Sequence, residues 1–548
     1  MTIFARSSGG GMPGVSGNEL DTEQPHSGTS VLDMPHLMRL TALALAILTA
    51  VRIYAVFATP LELYPDEAQY WVWSRHLAFG YFSKPPMIAW LIRATTAVGG
   101  QSEPWVRLAA PVLHGTTAMV LALAGRRLYS PPVGAAAAAI YALAPGVDLS
   151  SSVIATDAPL MLWLSLSLWA YAIWWPAGGE SPARRWGAIG FGLALGAAFL
   201  AKYAALYFVG GVLLHAALSR TARSRWRRED ALLATLSFVI IASPNLVWNV
   251  AHHFQTVAHT AADANLGEDA RPPWYDPRGG LGYIAGQFGV FGPIPFAVFI
   301  IGAVVLWRRK AFTPEDAMLL AFAFPPLMIV LIEAIASRAN ANWAGAAYGP
   351  AAIFVGAVLT RWRAVRTFGA TVLSQLAIAA IFLTFFIAPN LADHTAAIAN
   401  TLKRARGWAA STVLIGNAAA NAGRPLSAIA VDDRFLFNAL SYYGRDTHNR
   451  PAGRLPAPLK MWVREARAHN QAETTAPLDA ASGSRVLIAN ANVAYRPEIM
   501  ADFTKVEPGM DTTSVPLDPK HVRDLTLFTA DGFHRRPRDP ITGHPTKP

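Results

Sequence analysis

The chain has 548 residues, 53% of them hydrophobic and only 15% charged, with a formal net charge of +11 and no cysteine. Soluble chains carry about a quarter charged residues, so this composition points to a polytopic membrane protein, and the missing cysteines exclude disulfides, thiolate nucleophiles and cysteine-ligated metals. Lys and Arg sit in short clusters between apolar runs, which is the pattern of membrane topology and not of a nucleic-acid-binding surface.

Residues 1–36 are rich in Gly, Ser and Pro without periodicity, and predict a disordered cytoplasmic tail lacking a signal-peptide cleavage site. A hydrocarbon core of about 30 Å needs roughly 20 apolar residues in helix. Candidate spans fall near 38–58, 105–125, 131–148, 159–175, 187–201, 203–218, 231–249, 281–306, 316–336, 343–359 and 368–388. Basic clusters at Arg126–Arg127, Arg184–Arg185, 220–228, 308–310 and 361–366 each follow an even-numbered span. All five then share one side, which the positive-inside rule makes cytoplasmic, and this places the N-terminus inside and the C-terminal segment outside. A single span over 187–218 would move the later clusters to the other side, so the chain is expected to break at Lys202.

The expected organisation is a transmembrane domain over 37–389 with an external loop at 59–104, an external α/β domain over 390–535, and a disordered tail over 536–548. Within the external domain, "PLSAIAVDD" and "SRVLIANA" read as buried strands, "RFLFNALSYYG" and "LKMWVREARAHN" as helices, and "KHVRDLTLFTADGF" as a strand pair.

The polar features of the outer face then form a group. Pro65 suits a first helical position, and Asp66 and Glu67 suit the positive end of a helix dipole, so a plain helix start explains them. Helical continuation would also align Asp66, Tyr70, Trp73 and Leu77 as an aromatic stripe suited to the membrane interface. Helix neighbours point about 100° apart, so Asp66 and Glu67 take different roles, one toward a reacting hydroxyl and one toward its neighbours. In "GYFSKPPMIAW", Lys84 precedes a proline pair that can open a helix, whose free N–H groups with the lysine make a place for a phosphate; a snorkelling lysine is the plain alternative. Asp157 reads either as a helix cap or as a second acidic site residue. Lys202 and Arg338 end spans on the same face, as interfacial anchors or as phosphate contacts. The residue types of His252, His253 and His259 admit a divalent metal but show no dense ligand spacing, so no cofactor is assigned.

An acidic pair at the start of the first external loop, an aromatic juxtamembrane helix and "YFSKPP" together resemble the C-fold glycosyltransferases that use polyprenyl-phosphate sugars, especially bacterial relatives of protein O-mannosyltransferases and lipid A aminoarabinose transferases. "ATDAPLMLWL", "FLAKYAALY", "ANANWAGAAYGPA" and, in the tail, "AIAVDDRFLFNALSYYGRD" are similar to further segments of that group. The resemblance implies a multi-pass enzyme of the bacterial inner membrane, helical, with about eleven transmembrane helices and a C-terminal α/β domain in the periplasm. The donor would be a sugar on undecaprenyl phosphate or a similar carrier, and the acceptor lipid A, another glycolipid, a polysaccharide or a protein. Asp66 matches the carboxylate assigned as general base, with Glu67 and Asp157 beside it. Lys84 matches the lysine on the carrier phosphate, with Lys202, Arg338, Tyr70 and Tyr81 as further binding residues. At Ser83 the chain departs from the aminoarabinose transferases, which carry a metal-associated acidic residue there, and this counts against both a metal and an aminoarabinose donor. The rival reading is an envelope lipid flippase or solute transporter, which requires charges near the bilayer midplane and helices broken in paired halves.

Overall fold

A computed structural model describes residues 34–176, 181–263, 276–337, 339–445, 455–539 and 544–545. Most of the expected N-terminal tail, together with Arg338 and part of the 252–280 loop, lies outside these residues. The helices run in chain order as α1 (Met34–Ala58), α2 (Pro65–Arg75), α3 (Met87–Gly99), α4 (Glu103–Arg107), α5 (Ala109–Leu128), α6 (Pro131–Ala142), α7 (Pro145–Ser152), α8 (Asp157–Trp174), α9 (Pro182–Ala201) and α10 (Tyr207–Leu218). They continue as α11 (Arg220–Arg225), α12 (Arg228–Ala251), α13 (Gln255–Asp263), α14 (Pro277–Val290), α15 (Pro293–Arg308), α16 (Pro314–Ala336), α17 (Tyr348–Arg361) and α18 (Val365–Ile387).

Every expected span is helical. Six helical stretches are long and apolar enough to cross a membrane, and two bent pairs bring the number to eight: α6–α7, bent by 59°, and α14–α15, bent by 114°. Helices α8, α9 and α10 fall below that measure. The expected span at 281–306 is therefore not continuous. It breaks at Gly292, whose φ of 101° lies in the region that favours glycine, and Pro293 opens the next helix. At Lys202 helix α9 stops in extended backbone (φ −163°, ψ 138°) before a short 3-10 turn leads into α10.

Close packing and internal pairing hold the bundle. A Cβ on Gly134 would meet the Ala122 carbonyl oxygen at 2.2 Å, and one on Gly192 would meet that of Ala234 at 2.1 Å, so α5–α6 and α9–α12 touch backbone to backbone. The stretch 341–361 is central, 83% buried in its apolar window, whereas those of α1, α12 and α18 are only 22% buried and face lipid. Charges inside the bundle are paired, as membrane burial demands: Arg52 with Asp148, Arg184 with Asp230 at 2.7 Å, and Arg361 with Asp316 at 2.9 Å.

On the face that carries α2, Glu67 in the first turn of that helix is 1% exposed and Arg107 at the end of α4 is 0% exposed. Arg107 Nε and Nη2 reach the Glu67 carboxylate at 3.0 and 2.8 Å, and the other guanidinium donors go to the Leu61 and Glu62 carbonyls. The same carboxylate accepts from the backbone N–H of Tyr64 at 2.8 Å and of Ile154 at 2.9 Å. Thus one ion pair ties the start of α2 to α4 and to the segment that leads into Asp157.

Beyond α18 come α19 (Ala396–Leu402), α20 (Trp408–Ala420), α21 (Arg434–Tyr443), α22 (Gln471–Thr475) and a six-stranded sheet. Strand β1 (Ala428–Val431) lies parallel between β2 (Leu459–Met461) and β3 (Arg485–Asn490). Strand β6 (His521–Phe533) runs antiparallel to β3, to β4 (Phe503–Val506) and to β5 (Asp511–Asp518). Strands β1 and β3 are buried along their whole length, which is why they read as unbroken apolar runs. The expected helix at 459–470 instead opens as β2, because the β1 edge offers backbone partners: Ile429 N–H donates to Pro458 and Trp462 N–H to Val431. The expected strand pair at 520–533 is one long strand paired with β5. In the expected disordered tail, Arg536 and Arg538 donate to the buried Asp502 at 3.1 and 3.0 Å, so its first residues are ordered against the sheet.

Two predictions follow from these contacts. Breaking a buried ion pair by removing one partner costs about 3–5 kcal/mol, so Arg107→Met should sharply lower thermal stability in detergent; wild-type stability would rule out the pair as a structural tie. In the sheet, Arg485 holds Glu507 through hydrogen bonds of 2.8 and 2.9 Å and pushes its pKa from 4.5 down to about 2. A depressed carboxylate stabilises above its unfolded pKa, and that contribution disappears as pH falls through the folded value. Glu507→Gln should therefore lower stability at pH 6 and flatten its loss between pH 4.5 and 2, read by thermal unfolding.

Candidate active site

The buried Glu67 fixes where its neighbour points. With Glu67 facing inward, Asp66 projects to the outside: it is exposed and makes no side-chain hydrogen bond or ion pair among the described residues. It lines a cavity of about 340 Å³ together with Tyr64, Lys403, Arg404, Trp408, Phe435, His521 and Arg523.

Tyr70, one turn further along α2, is 5% exposed. Burial raises its pKa well above the ordinary value, and the charges of Asp66 and Asp157 raise it further, so both carboxylates act on this one phenol. Arg434, at the start of α21, opposes them. Tyr70 thus feels the charges of Asp66, Asp157 and Arg434, the last of which the sequence reading did not single out.

Asp157 starts α8 and takes the Lys202 ammonium at 2.9 Å, with the two side chains 25% and 22% exposed. Lys202 is therefore already paired with a carboxylate. Asp157 also lines a second cavity of about 280 Å³, with largely apolar walls that include Leu149, Val153, Met161, Val290 and Tyr348.

Lys84 is half-buried in the turn before α3, where its carbonyl accepts from Tyr81 N–H at 3.1 Å. Pro86 caps α3, as the proline pair suggested. Tyr81 is a loop clamp: its ring stacks on Trp73 at 4.8 Å, and its hydroxyl donates to the Trp73 carbonyl and accepts from Ala78 N–H. Burial pushes its pKa up to about 12. The expected interfacial stripe takes another role. Tyr70 and Trp73 are buried, and α2 packs on α21, the helix that follows β1. Leu77 lies beyond the end of α2 and is exposed.

Among the described residues no group of three or more His, Asp or Glu side chains is placed to hold a metal ion. His252 stacks on Trp248 and His259 lies edge-on to Phe82. Sequence reasoning missed Arg107, Arg434, Lys403, Arg404 and Arg523. Arg107 is a single arginine ahead of an apolar run, which reads as topology, whereas Arg434 directly follows the carboxylate pair Asp432–Asp433 and could have been noticed.

Comparison with known proteins places this geometry. Residues 83–248 match the dolichyl-phosphate-mannose-protein mannosyltransferase family. The chain is 34% identical over 403 residues to lipid A galacturonosyltransferase RgtD of Rhizobium johnstonii, covering 73% of this chain and 81% of that protein. It is 25% identical over 287 residues to an undecaprenyl phosphate-α-4-amino-4-deoxy-L-arabinose arabinosyl transferase of Pseudomonas fluorescens, covering 48% of this chain and 47% of that one. The fold matches ArnT from Cupriavidus metallidurans bound to undecaprenyl phosphate with a TM-score of 0.62 at 18% identity, over 90% of this chain and 98% of that one. These relatives replace the transporter reading with a transferase. The chain belongs to the C-fold family of multi-pass inner-membrane glycosyltransferases that use polyprenyl-phosphate-linked sugars.

Proposed function

We propose that this enzyme transfers a galacturonosyl residue from a polyprenyl-phosphate carrier to a hydroxyl of lipid A on the outer face of the inner membrane. The N-terminus lies in the cytoplasm, and the segment from 390 to 535 forms a domain in the periplasm. The observation that carries the proposal is the exposed Asp66 carboxylate, held outward by its buried neighbour in a chain one-third identical to a lipid A galacturonosyltransferase.

The acceptor oxygen attacks the anomeric carbon as its proton passes to Asp66. The bond from that carbon to the carrier phosphate breaks, and the phosphate leaves with the electron pair. A carboxylate within reach of the hydroxyl accelerates such a step, typically by 10²–10⁴-fold. Developing charge on the departing phosphate is stabilised by Lys84, with the first turn of α3 beside it, and by Lys202 once Asp157 shares it. Single displacement inverts the anomeric centre. The apolar cavity at Asp157 suits the first isoprene units of the carrier. Glu67 serves by aiming Asp66, and Tyr70 by shaping the space between the two carboxylates.

Asp66→Asn should lower transfer in proteoliposomes by at least about 10²-fold while shifting thermal unfolding little, because the side chain makes no hydrogen bond or ion pair among the described residues. Wild-type turnover in that variant would remove Asp66 as the base. Lys84→Ala should weaken use of the carrier, seen as loss of kcat/KM for the lipid-linked sugar. Mass spectrometry of lipid A from cells with and without the protein reads the product, and an unchanged spectrum would refute the donor and acceptor assignment.

A further inference from the structure

The cavity beside Asp66 has a charge balance that base catalysis does not require. Its walls carry Lys403, Arg404, His521 and Arg523 against the single carboxylate of Asp66. Two of these four are engaged. His521 Nδ1 lies 2.8 Å from Asp518, and Arg523 packs over the Trp408 ring at 3.4 Å while donating to Ser411 Oγ and the Arg406 carbonyl, each at 3.1 Å. Glu62 and Asp433 also act on Arg523, although both carboxylates are committed to helix starts: Glu62 accepts from Trp408 and Ala409 N–H, and Asp433 from Leu436 N–H.

Lys403 and Arg404 differ from the other two. The first is half-buried and the second exposed, and neither side chain makes a hydrogen bond or ion pair among the described residues. Cations beside a general base favour its charged form and so reduce its basicity, which makes them a burden unless they bind something. The carrier's phosphate does not account for them, since Lys84, Asp157 and Lys202 are absent from this cavity's walls.

We propose that Lys403 and Arg404 recognise an oxyanion on the acceptor sugar, a phosphate or a carboxylate near the reacting hydroxyl, and thereby seat that hydroxyl against Asp66. This rests on Asp66 being the acceptor-side base. The cavity, about 340 Å³, has the size of one sugar with its anionic substituent, and Trp408 and Phe435 supply apolar wall for the ring's C–H face. A lysine and an arginine together fit an oxyanion, the arginine through its paired donors and the lysine as a point charge.

The test is binding, not turnover, in protein already carrying Asp66→Asn. Three probes are compared in low-salt detergent: a short-chain lipid A disaccharide with its phosphates, the same lipid stripped of phosphate, and a stripped lipid bearing one acidic sugar. The parent should bind at least one charged probe about tenfold more tightly than the stripped one. Adding Lys403→Gln and Arg404→Gln should reduce that preference to within about twofold, with thermal unfolding unchanged. Preference for the phosphorylated probe names phosphate as the oxyanion, and preference for the acidic-sugar probe names carboxylate. Equal binding of all three probes by the parent overturns the proposal. So does an equal loss for charged and stripped probes in the variant, because that would mark the pair as membrane-surface anchors. A wild-type protein that binds selectively but transfers nothing would refute the functional reading and leave the recognition intact.

Discussion

The Glu67–Arg107 pair is the constraint on which the arrangement of α2, α4 and the start of α8 depends. A buried carboxylate and guanidinium are costly to desolvate, and they persist only when nearly every donor and acceptor is satisfied. Here the carboxylate receives the guanidinium and two backbone N–H groups, while Arg107 also feeds two carbonyls of the 59–64 loop. The geometric consequence matters more than the energy. Because helix neighbours diverge by about 100°, a carboxylate locked inward at 67 turns the one at 66 outward. Because Ile154 is bound by the same oxygens, the start of α8, and with it Asp157, takes its position from the same pair.

The aromatic character of α2 has a related cause. The loop it belongs to is clamped between the membrane bundle and the C-terminal α/β region. The Tyr443 hydroxyl accepts from Leu63 N–H at 2.8 Å, Tyr442 donates to the Gln101 carbonyl, and Gln471 accepts from Phe82 N–H. Trp71 meets Tyr442 edge to face at 4.9 Å between ring centres. Rings that bury large areas while offering one polar tip suit a joint that is apolar in its middle and wet at its rim. Unpairing the C-terminal α/β region from this loop would therefore loosen the helix that carries Asp66.

Much of this was legible in the sequence, for identifiable reasons. Span positions follow from apolar length, and the break at Lys202 followed from requiring the basic clusters to share a side. Strands β1 and β3 were readable because both their faces are buried. What the sequence hid was partnership. The stretch 459–470 has helical periodicity, yet its first residues complete the open edge of β1, an option visible only once the sheet exists. The stripe of Tyr70 and Trp73 reads in sequence as lying at the membrane interface, because periodicity reports that a face is apolar and not what covers it. At the site, Asp66, Lys84 and Asp157 stood out as charges in apolar surroundings. Lys403, Arg404 and Arg523 did not, since they come from a polar region where a basic residue is unremarked.

Two cavities of opposite character are lined, one by Asp157 and the other by Asp66, and in the proposed reaction that division is mechanistic. The space at Asp157 is mostly apolar and opens among membrane helices, whereas the space at Asp66 is cationic and is walled in part by strands of the C-terminal sheet. A single displacement at carbon needs nucleophile and leaving group on opposite faces of the sugar. A lipid-linked donor lodged from the bilayer side and a charged acceptor lodged from the aqueous side meet that requirement without either substrate crossing the other's path. The paired Asp157–Lys202 fits the leaving-group side, because a lysine already sharing its charge with a carboxylate can follow negative charge as it builds on the phosphate. Asp66, unpaired among the described residues, fits the nucleophile side, because a base that must take a proton gains from having no other donor to satisfy.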